Sequence, residues 1–285
     1  MQAYTGFAEV YDLFMNNVPY DAWEELLVQL LAGAGVTEGL VLELGCGTGT
    51  MTERMAARGF DMIGADLSED MLAEAMEKRA LSGHNILYLN QDMREFELYG
   101  TVAAIYSVCD SLNYLTGPEE LRQVFRLANN YLDPGGVFVF DFNTPAEYRS
   151  ALREHPILEE QEGITMIWEN AYDPETALNE HRLTFYLPVE TEPLYAYDCD
   201  GAHEVEQPQG DEPLYMKRQE VHEQRAWTLG EIRQAAGEAG MVFVRAVDAA
   251  TGKEPDGEST RIFCVLREQG KKAPADAGGE KEGIE

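Results

Sequence analysis

Basic side chains are scarce in this chain. Lysine and arginine number 21 against 52 aspartates and glutamates, so its 285 residues carry a formal charge of −31. A surface that acidic repels phosphate backbones, and nucleic acid is not expected as a partner. The ordinary consequence of such a charge is solubility. Cysteine is sparse too. Cys46, Cys109, Cys199 and Cys264 stand far apart with no Cys-x-x-Cys pair. That argues against a disulfide frame or a zinc site and for reduced thiols in a cytoplasmic protein. The five histidines show no metal-ligand spacing, so no metal is expected. The N-terminus lacks a basic start followed by an apolar run, so no secretory signal is expected. No stretch reaches membrane-spanning length, and no internal repeat is visible. What remains is a chain that is 45% hydrophobic. Its length allows one large α/β domain with an elaboration, or two small domains.

One stretch organises the chain. Val41 to Leu44 read as a short buried strand, Gly45, Gly47 and Gly49 open a turn, and Met51 to Arg58 carry a helical pattern that closes at Gly59. A strand, a glycine turn and a helix in that order make a nucleotide-binding unit. The helix start offers free N–H groups and a partial positive charge. No Lys-Ser/Thr follows the glycines, which excludes a phosphate-cradling P-loop. The third glycine falls one residue early for the dinucleotide pattern, since position 50 is Thr. A second strand, Met62 to Ala65, ends at Asp66, about where an acid accepts hydrogen bonds from a ribose diol. Glycines and acid together fit either NAD or S-adenosylmethionine.

The run Glu43-Leu-Gly-Cys-Gly-Thr-Gly49 resembles motif I of the class I S-adenosylmethionine-dependent methyltransferases, and Asp66 falls where their ribose-binding acid stands. Gly6-Phe-Ala-Glu-Val-Tyr-Asp12 resembles the N-terminal cap of small-molecule N-methyltransferases that act on glycine or amino sugars. Ser111-Leu-Asn-Tyr-Leu115 resembles the loop after their fourth strand, and Asp133-Pro-Gly-Gly136 with Val137 to Phe142 their fifth-strand region. The resemblance implies an α/β fold: a Rossmann-like, seven-stranded, mostly parallel sheet with a helical N-terminal cap and an inserted antiparallel β lid. It implies S-adenosylmethionine as cofactor, with contacts from Tyr11, Glu43, Gly45, Cys46, Gly47, Gly49, Asp66, Leu67, Met71, Asp92, Met93 and Val108. In the family, the acid matching Asp92 takes the adenine amino group and the residue matching Met93 packs on the ring. A carboxylate suits the first role because it accepts from an exocyclic amine.

On this reading the chain divides into an N-terminal cap (1–35), a cofactor-binding core (36–144), a β-rich lid or substrate segment (145–226), completion of the core (227–268) and a disordered tail (269–285). The cap reads as two helices within 2–33, broken at Asn17-Val-Pro19. Its aromatics either pack on the sheet or, as Tyr4 and Tyr11, fold over the cofactor. Ser68 to Arg79 read as a helix with Ser68 as N-cap, Ile86 to Leu89 as the third strand and Thr101 to Val108 as the fourth. The loop Cys109 to Tyr114 sits at the carboxyl end of that strand, where ligands bind in parallel sheets. Asp110, Asn113, Tyr114 and Asn143 are candidate substrate-wall residues, with Tyr4 and Arg225. A nucleophilic Cys109 is not expected, because Val and not Pro precedes it. Ile164 to Ala171, Arg182 to Val189 and Tyr215 to Trp227 read as strands of the lid, with 190–213 a mobile loop. His181, Arg182, His222 and Arg225 either grip a substrate carboxylate or pair with neighbouring acids. A helix from Trp227 to Ala239 is capped by Thr228 and Glu231. Met241 to Asp248 and Arg261 to Arg267 close the sheet.

The implied activity is methyl transfer to nitrogen or oxygen of a small-molecule acceptor by a monomer or homodimer. An RNA or protein methyltransferase and a non-catalytic binder of the cofactor are the alternatives. Asp110, His222 or a tyrosine stand as candidate bases, and no spacing selects one.

Overall fold

The structure is a computed structural model that describes residues 8–15, 18–150, 155–189, 195–198, 201–204 and 214–271. In chain order its elements are α1 (Ala8–Phe14), α2 (Tyr20–Gly33), β1 (Leu40–Leu44), α3 (Thr50–Ala57), β2 (Asp61–Asp66), α4 (Glu69–Ser82), β3 (Ile86–Asn90) and β4 (Val102–Ser107). A single 3-10 turn (Ser111–Tyr114) leads to α5 (Pro118–Tyr131), β5 (Leu132–Asn143) and α6 (Pro145–Tyr148). Six strands follow: β6 (Ile157–Gln161), β7 (Ile164–Asp173), β8 (Leu178–Pro188), β9 (Tyr195–Asp198), β10 (Gly201–Glu204) and β11 (Tyr215–Arg225). The chain then forms α7 (Leu229–Glu238), β12 (Val242–Asp248) and β13 (Arg261–Arg267).

Seven strands make the central sheet in the order β3-β2-β1-β4-β5-β13-β12. All neighbouring pairs from β3 to β5 are parallel, and β13 runs antiparallel between β5 and β12. Both faces are covered, which is why β1 and β4 read as unbroken apolar runs and not as alternation. On one face α5 and α7 bury Phe125, Ile232 and Trp227 against Phe138, Phe140 and Phe142. On the other, α2 and α3 bury Trp23, Leu27, Leu31, Met51 and Met55 against Tyr106, Val139 and Phe263. Strand order reverses between β1 and β4, which opens a crevice at their carboxyl ends.

A second sheet, β11-β8-β7-β6, is antiparallel throughout and lies in the chain between α6 and α7. A third cluster joins it to the N-terminal helix: Val10 and Phe14 of α1 pack with Met166, Leu183 and Phe185. Helix starts follow their side chains. Ser68 Oγ accepts from Met71 N at 3.3 Å, and Thr228 and Glu231 form a reciprocal capping box.

Several expectations need correction. The second sheet has four strands and not three: β6 was missed because Leu-Glu-Glu-Gln carries little apolar alternation. β8 begins at Leu178, four residues before Arg182, because Asp173 closes the preceding turn onto Glu175 N and Thr176 Oγ1. β5 starts at Leu132, with Asp133–Gly136 forming an irregularity in it. Within the expected loop 190–213, residues 195–198 and 201–204 pair as a hairpin; its remainder lies outside the described residues. The start of the expected tail is ordered. Lys271 Nζ donates to Asn130 O at 2.6 Å, at the negative end of α5. Residues 272–285 lie outside the described residues.

Gly64, in the middle of β2, makes room for a neighbour. A Cβ there would sit 2.7 Å from the Tyr88 ring and 3.1 Å from Cys46 Sγ. Gly64→Ala is therefore expected to lose about 1–3 kcal/mol of stability in urea unfolding, and Tyr88→Val in the same chain to restore part of it.

Candidate active site

The turn after β1 is shaped by its neighbours. Gly45 N and Cys46 N donate to Ala65 O at 2.8 and 3.1 Å. Gly45 has φ of 71°, and a Cβ on it would lie 2.7 Å from Ser111. Only glycine lets the β4 loop approach this closely. Gly47 N donates to Asp66 Oδ2 at 2.8 Å, and Ser68 N to Asp66 Oδ1 at 2.9 Å. Burial raises the Asp66 pKa and these backbone donors oppose it. The Leu67 backbone is a third such donor, which leaves the carboxylate about one of its roughly four acceptor sites for a ligand.

Glu43 stands buried under the turn. Thr52 Oγ1 donates to it, as does Tyr106 OH at 2.9 Å. Burial still pushes its carboxyl up to about 8, helped by the nearby Asp66 charge. Asp92 is different. Burial acts upward on it too, but Arg94 binds it through backbone and guanidinium at 2.6–3.0 Å and holds it below its ordinary value.

These groups line a cavity of about 400 Å³ in the crevice between β1, β2 and β4. Of the expected cofactor residues, Tyr11, Glu43, Gly45, Cys46, Gly47, Asp66, Leu67, Met71, Asp92, Met93 and Val108 stand on its wall. Gly49 instead caps α3 in a left-handed conformation. The helix α1 is tied across the turn: Thr48 Oγ1 donates to Asp12 at 2.7 Å, and Lys78 pairs with Asp12 and donates to Thr48 and Thr50 at 2.9 and 2.8 Å.

A second cavity of about 330 Å³ adjoins the first. Phe14, Trp23, Met166, Trp168 and Leu183 give it apolar walls; Asp110, Asn143, Glu159, His181, Gln224 and Arg261 give it polar ones. Tyr11, Cys109, Tyr114 and His222 belong to both cavities and mark where they meet. Cys109 and Asp110 have φ of 59° and 53° there, a strained conformation for residues other than glycine. It is held by Asp110 N donating to Asp141 at 3.3 Å and by Arg261, which binds Asp110 at 2.7 Å and also Asp141. Burial, helped by the Asp110 charge, pushes Asp141 up to about 6 against the pull of Arg261. Burial likewise pushes the Cys109 thiol up, the opposite of an activated nucleophile.

Two expected substrate residues line neither cavity. Asn113 is fully buried, and its amide binds Asn143 O and N and Arg225 O. Arg225 points at Thr176 O and Glu231 and stacks on Trp227. Asp110, Tyr114 and Asn143 do line the second cavity. Tyr4 lies outside the described residues. Arg182 pairs with Glu180 in the open. Arg261, Trp23, Trp168, Glu159 and Gln224 escaped sequence reasoning, because each is brought in from a distant strand or helix with no local motif.

A glycine turn, an acid on the adjacent strand and a crevice at the strand-order reversal define a Rossmann-like nucleotide-binding enzyme. A methyltransferase-domain model matches residues 41–136. YqeM of Bacillus subtilis (strain 168), a protein assigned as a methyltransferase, is 30% identical over 261 residues, 91% of this chain and 95% of that one. The dTDP-3-amino-3,4,6-trideoxy-alpha-D-glucopyranose N,N-dimethyltransferase of Streptomyces venezuelae is 32% identical over 136 residues, 47% of this chain and 56% of that one. An S-adenosylmethionine-dependent methyltransferase from Clostridium acetobutylicum ATCC 824 shares the fold with a TM-score of 0.74 at 24% identity, over 94% of this chain and 100% of that one. The chain belongs to the S-adenosylmethionine-dependent methyltransferases.

The buried acid beneath the turn has a measurable consequence. Glu43 releases its proton near its ordinary 4.5 when unfolded and near 8 when folded. Between those values the folded chain binds the extra proton, so rising pH lowers stability across that window. Glu43→Gln is expected to flatten this decline, read as urea midpoints of the unliganded protein between about pH 5 and about pH 8.

Proposed function

We propose that the chain transfers the methyl group of S-adenosylmethionine to nitrogen or oxygen of a small-molecule acceptor, with cofactor in the first cavity and acceptor in the second. The observation that carries this reading is the meeting of two cavities at Tyr11, Cys109, Tyr114 and His222, beside the carboxyl ends of β1, β2 and β4. The first cavity falls in the usual size range for a small-ligand site. The donor set fits the cofactor. Asp66 has acceptor capacity left for a ribose diol, Leu67, Met71 and Met93 offer apolar surface to a base, and Asp92 accepts from an exocyclic amine. The backbone from Gly45 to Gly47, with Glu43 behind it, faces the amino-acid end.

Bound cofactor supplies a sulfonium-activated methyl group. The protein's part is placement and exclusion of water, with the acceptor atom about 3–3.5 Å from the methyl carbon. Tyr11 and Tyr114 wall the junction. Described residues of β6, β7, β8 and β11 wall the acceptor side, and α1 packs against them through Val10 and Phe14. The acceptor cavity is sized for a metabolite and not a polymer, and the charge of −31 counts against RNA. Relatives whose names specify amino-sugar or glycine N-methylation favour nitrogen.

Asp66→Ala is expected to weaken S-adenosylmethionine binding by about 1–3 kcal/mol in calorimetry, from lost charge-assisted hydrogen bonds. Unchanged affinity in a folded variant would assign Asp66 to shaping the turn alone. Incubation of the wild type with tritiated-methyl S-adenosylmethionine and a metabolite extract is expected to label a small molecule. Label appearing in RNA or protein instead would refute the acceptor assignment.

A further inference from the structure

Tyr114, His222 and Glu220 form a chain of hydrogen bonds at the junction. The Tyr114 hydroxyl lies 2.9 Å from His222 Nδ1, and His222 Nε2 lies 3.0 Å from Glu220 Oε2. His222 is 3% exposed and Glu220 8%, so the chain is shielded from bulk water. An ionised carboxylate only accepts, so Nε2 carries the ring hydrogen and donates to Glu220. Nδ1 is then bare and accepts from Tyr114. A carboxylate behind a histidine behind a hydroxyl is an arrangement that moves a proton, because the carboxylate sets the tautomer and steadies the imidazolium.

His181 lies across the strand pair from His222, and its wiring is different. The Trp168 indole N–H, which can only donate, occupies its Nδ1 at 3.0 Å, and its Nε2 lies 2.7 Å from Gln224 Oε1 and 2.9 Å from Asn179 Nδ2. That ring takes a second proton only by losing the Trp168 bond.

The second cavity also has a sign. Among its described lining residues Arg261 is the one guanidinium or ammonium, and it is committed to Asp110 and Asp141. Glu159 adds a carboxylate, and Trp168 and Tyr11 add ring faces. Asn143, 5% exposed, has a buried side-chain oxygen with no hydrogen-bond partner among the described residues. A phosphate or carboxylate on the acceptor would find no uncommitted cation there. An ammonium group would find carboxylates, aromatic faces and a waiting acceptor. An ammonium nitrogen, however, has no lone pair with which to attack a methyl group.

We infer that the acceptor is an amine bound as its ammonium form, and that the Tyr114–His222–Glu220 chain takes its proton before methyl transfer. The inference rests on the methyl-transfer reading above. The Tyr114 oxygen receives a proton from the ammonium as its own proton passes to His222 Nδ1. Tyr114 ends unchanged, His222 becomes imidazolium against Glu220, and the amine regains its lone pair. Tyr114 is the group that touches the acceptor; His222 and Glu220 act through it. Other titratable groups around the pair are Cys109 and Asp110 after β4, Tyr11 on α1, Glu159 on β6, His181 on β8 and Glu223 on β11, with Asp92 and Arg94 on the cofactor side.

The test begins with tritiated-methyl S-adenosylmethionine and a metabolite extract, the labelled product being sorted by ion exchange at neutral pH. A product held by the cation exchanger is expected. A neutral or anionic product overturns the inference and leaves methyl transfer standing; no labelled small molecule overturns both. With the acceptor fraction so isolated, kcat/KM is followed from about pH 6 to about pH 10, the upper end being near an alkylamine's own pKa. Tyr114→Phe is expected to lose about 10²-fold or more at neutral pH and to close that gap at the alkaline end, where the amine needs no help. Glu220→Gln is expected to show part of the same neutral-pH deficit, because the imidazolium formed in the relay loses its counter-charge. Circular dichroism checks that both variants fold. A deficit of the same size at every pH in Tyr114→Phe, or no neutral-pH deficit in Glu220→Gln, overturns the relay.

Discussion

The hydrogen bond from Gly47 N to the Asp66 carboxylate holds the functional end of the sheet together. It ties the turn after β1 to the tip of β2, while Ser68 N on the other carboxylate oxygen starts α4 in the right direction. One acid therefore sets the shape of the glycine turn, the entry to the next helix and the floor of the first cavity. Its burial is tolerable because three backbone dipoles, from Gly47, Leu67 and Ser68, point at it. Glu43, one layer deeper, has Thr52 and Tyr106 as its donors among the described residues, and its carboxyl is correspondingly harder to ionise. Two carboxylates a few residues from the same turn thus differ in charge preference through the donors each was given.

The rest of the site is assembled around that turn by long-range pairs. Asp12 of α1 reaches Thr48 and Lys78, and Arg261 of β13 reaches Asp110 and Asp141. The first set places Tyr11 on the wall of the first cavity; the second holds Cys109 and Asp110 in a strained conformation at the junction. Strain here is sustained by a buried ion cluster and not by local sequence preference. The outcome is two chambers with a shared wall, each with its own electrostatics.

How far the sequence told this in advance follows from the range of each interaction. The strand, glycine turn and helix from Val41 to Arg58 are contiguous, so periodicity and composition marked them, and Asp66 follows within 19 residues of its partner Gly47. Ser68 and the Thr228–Glu231 pair act within one helical turn and were readable for the same reason. By contrast, Thr48 and Asp12 are 36 residues apart, and Arg261 and Asp110 are 151 apart. No window spans such pairs. β6 was hidden by its run of polar residues, and the order at Lys271 depends on carbonyls at the end of α5. Asn113 and Arg225 look like substrate residues in a loop and a strand end, yet the folded chain spends both on its own backbone and neighbours.

Asn113 does more than fill space. Its single Nδ2 donates to Asn143 O at 2.9 Å and to Arg225 O at 2.7 Å. Those are the last residue of β5 and the last of β11, the points where the chain leaves the central sheet and comes back to it. One carboxamide thus pins both ends of an excursion of some eighty residues within a few ångströms of each other. A segment whose departure and return are stapled this tightly behaves as a plug-in module. Its strands can lengthen or shorten without moving the points at which the chain leaves and rejoins the central sheet.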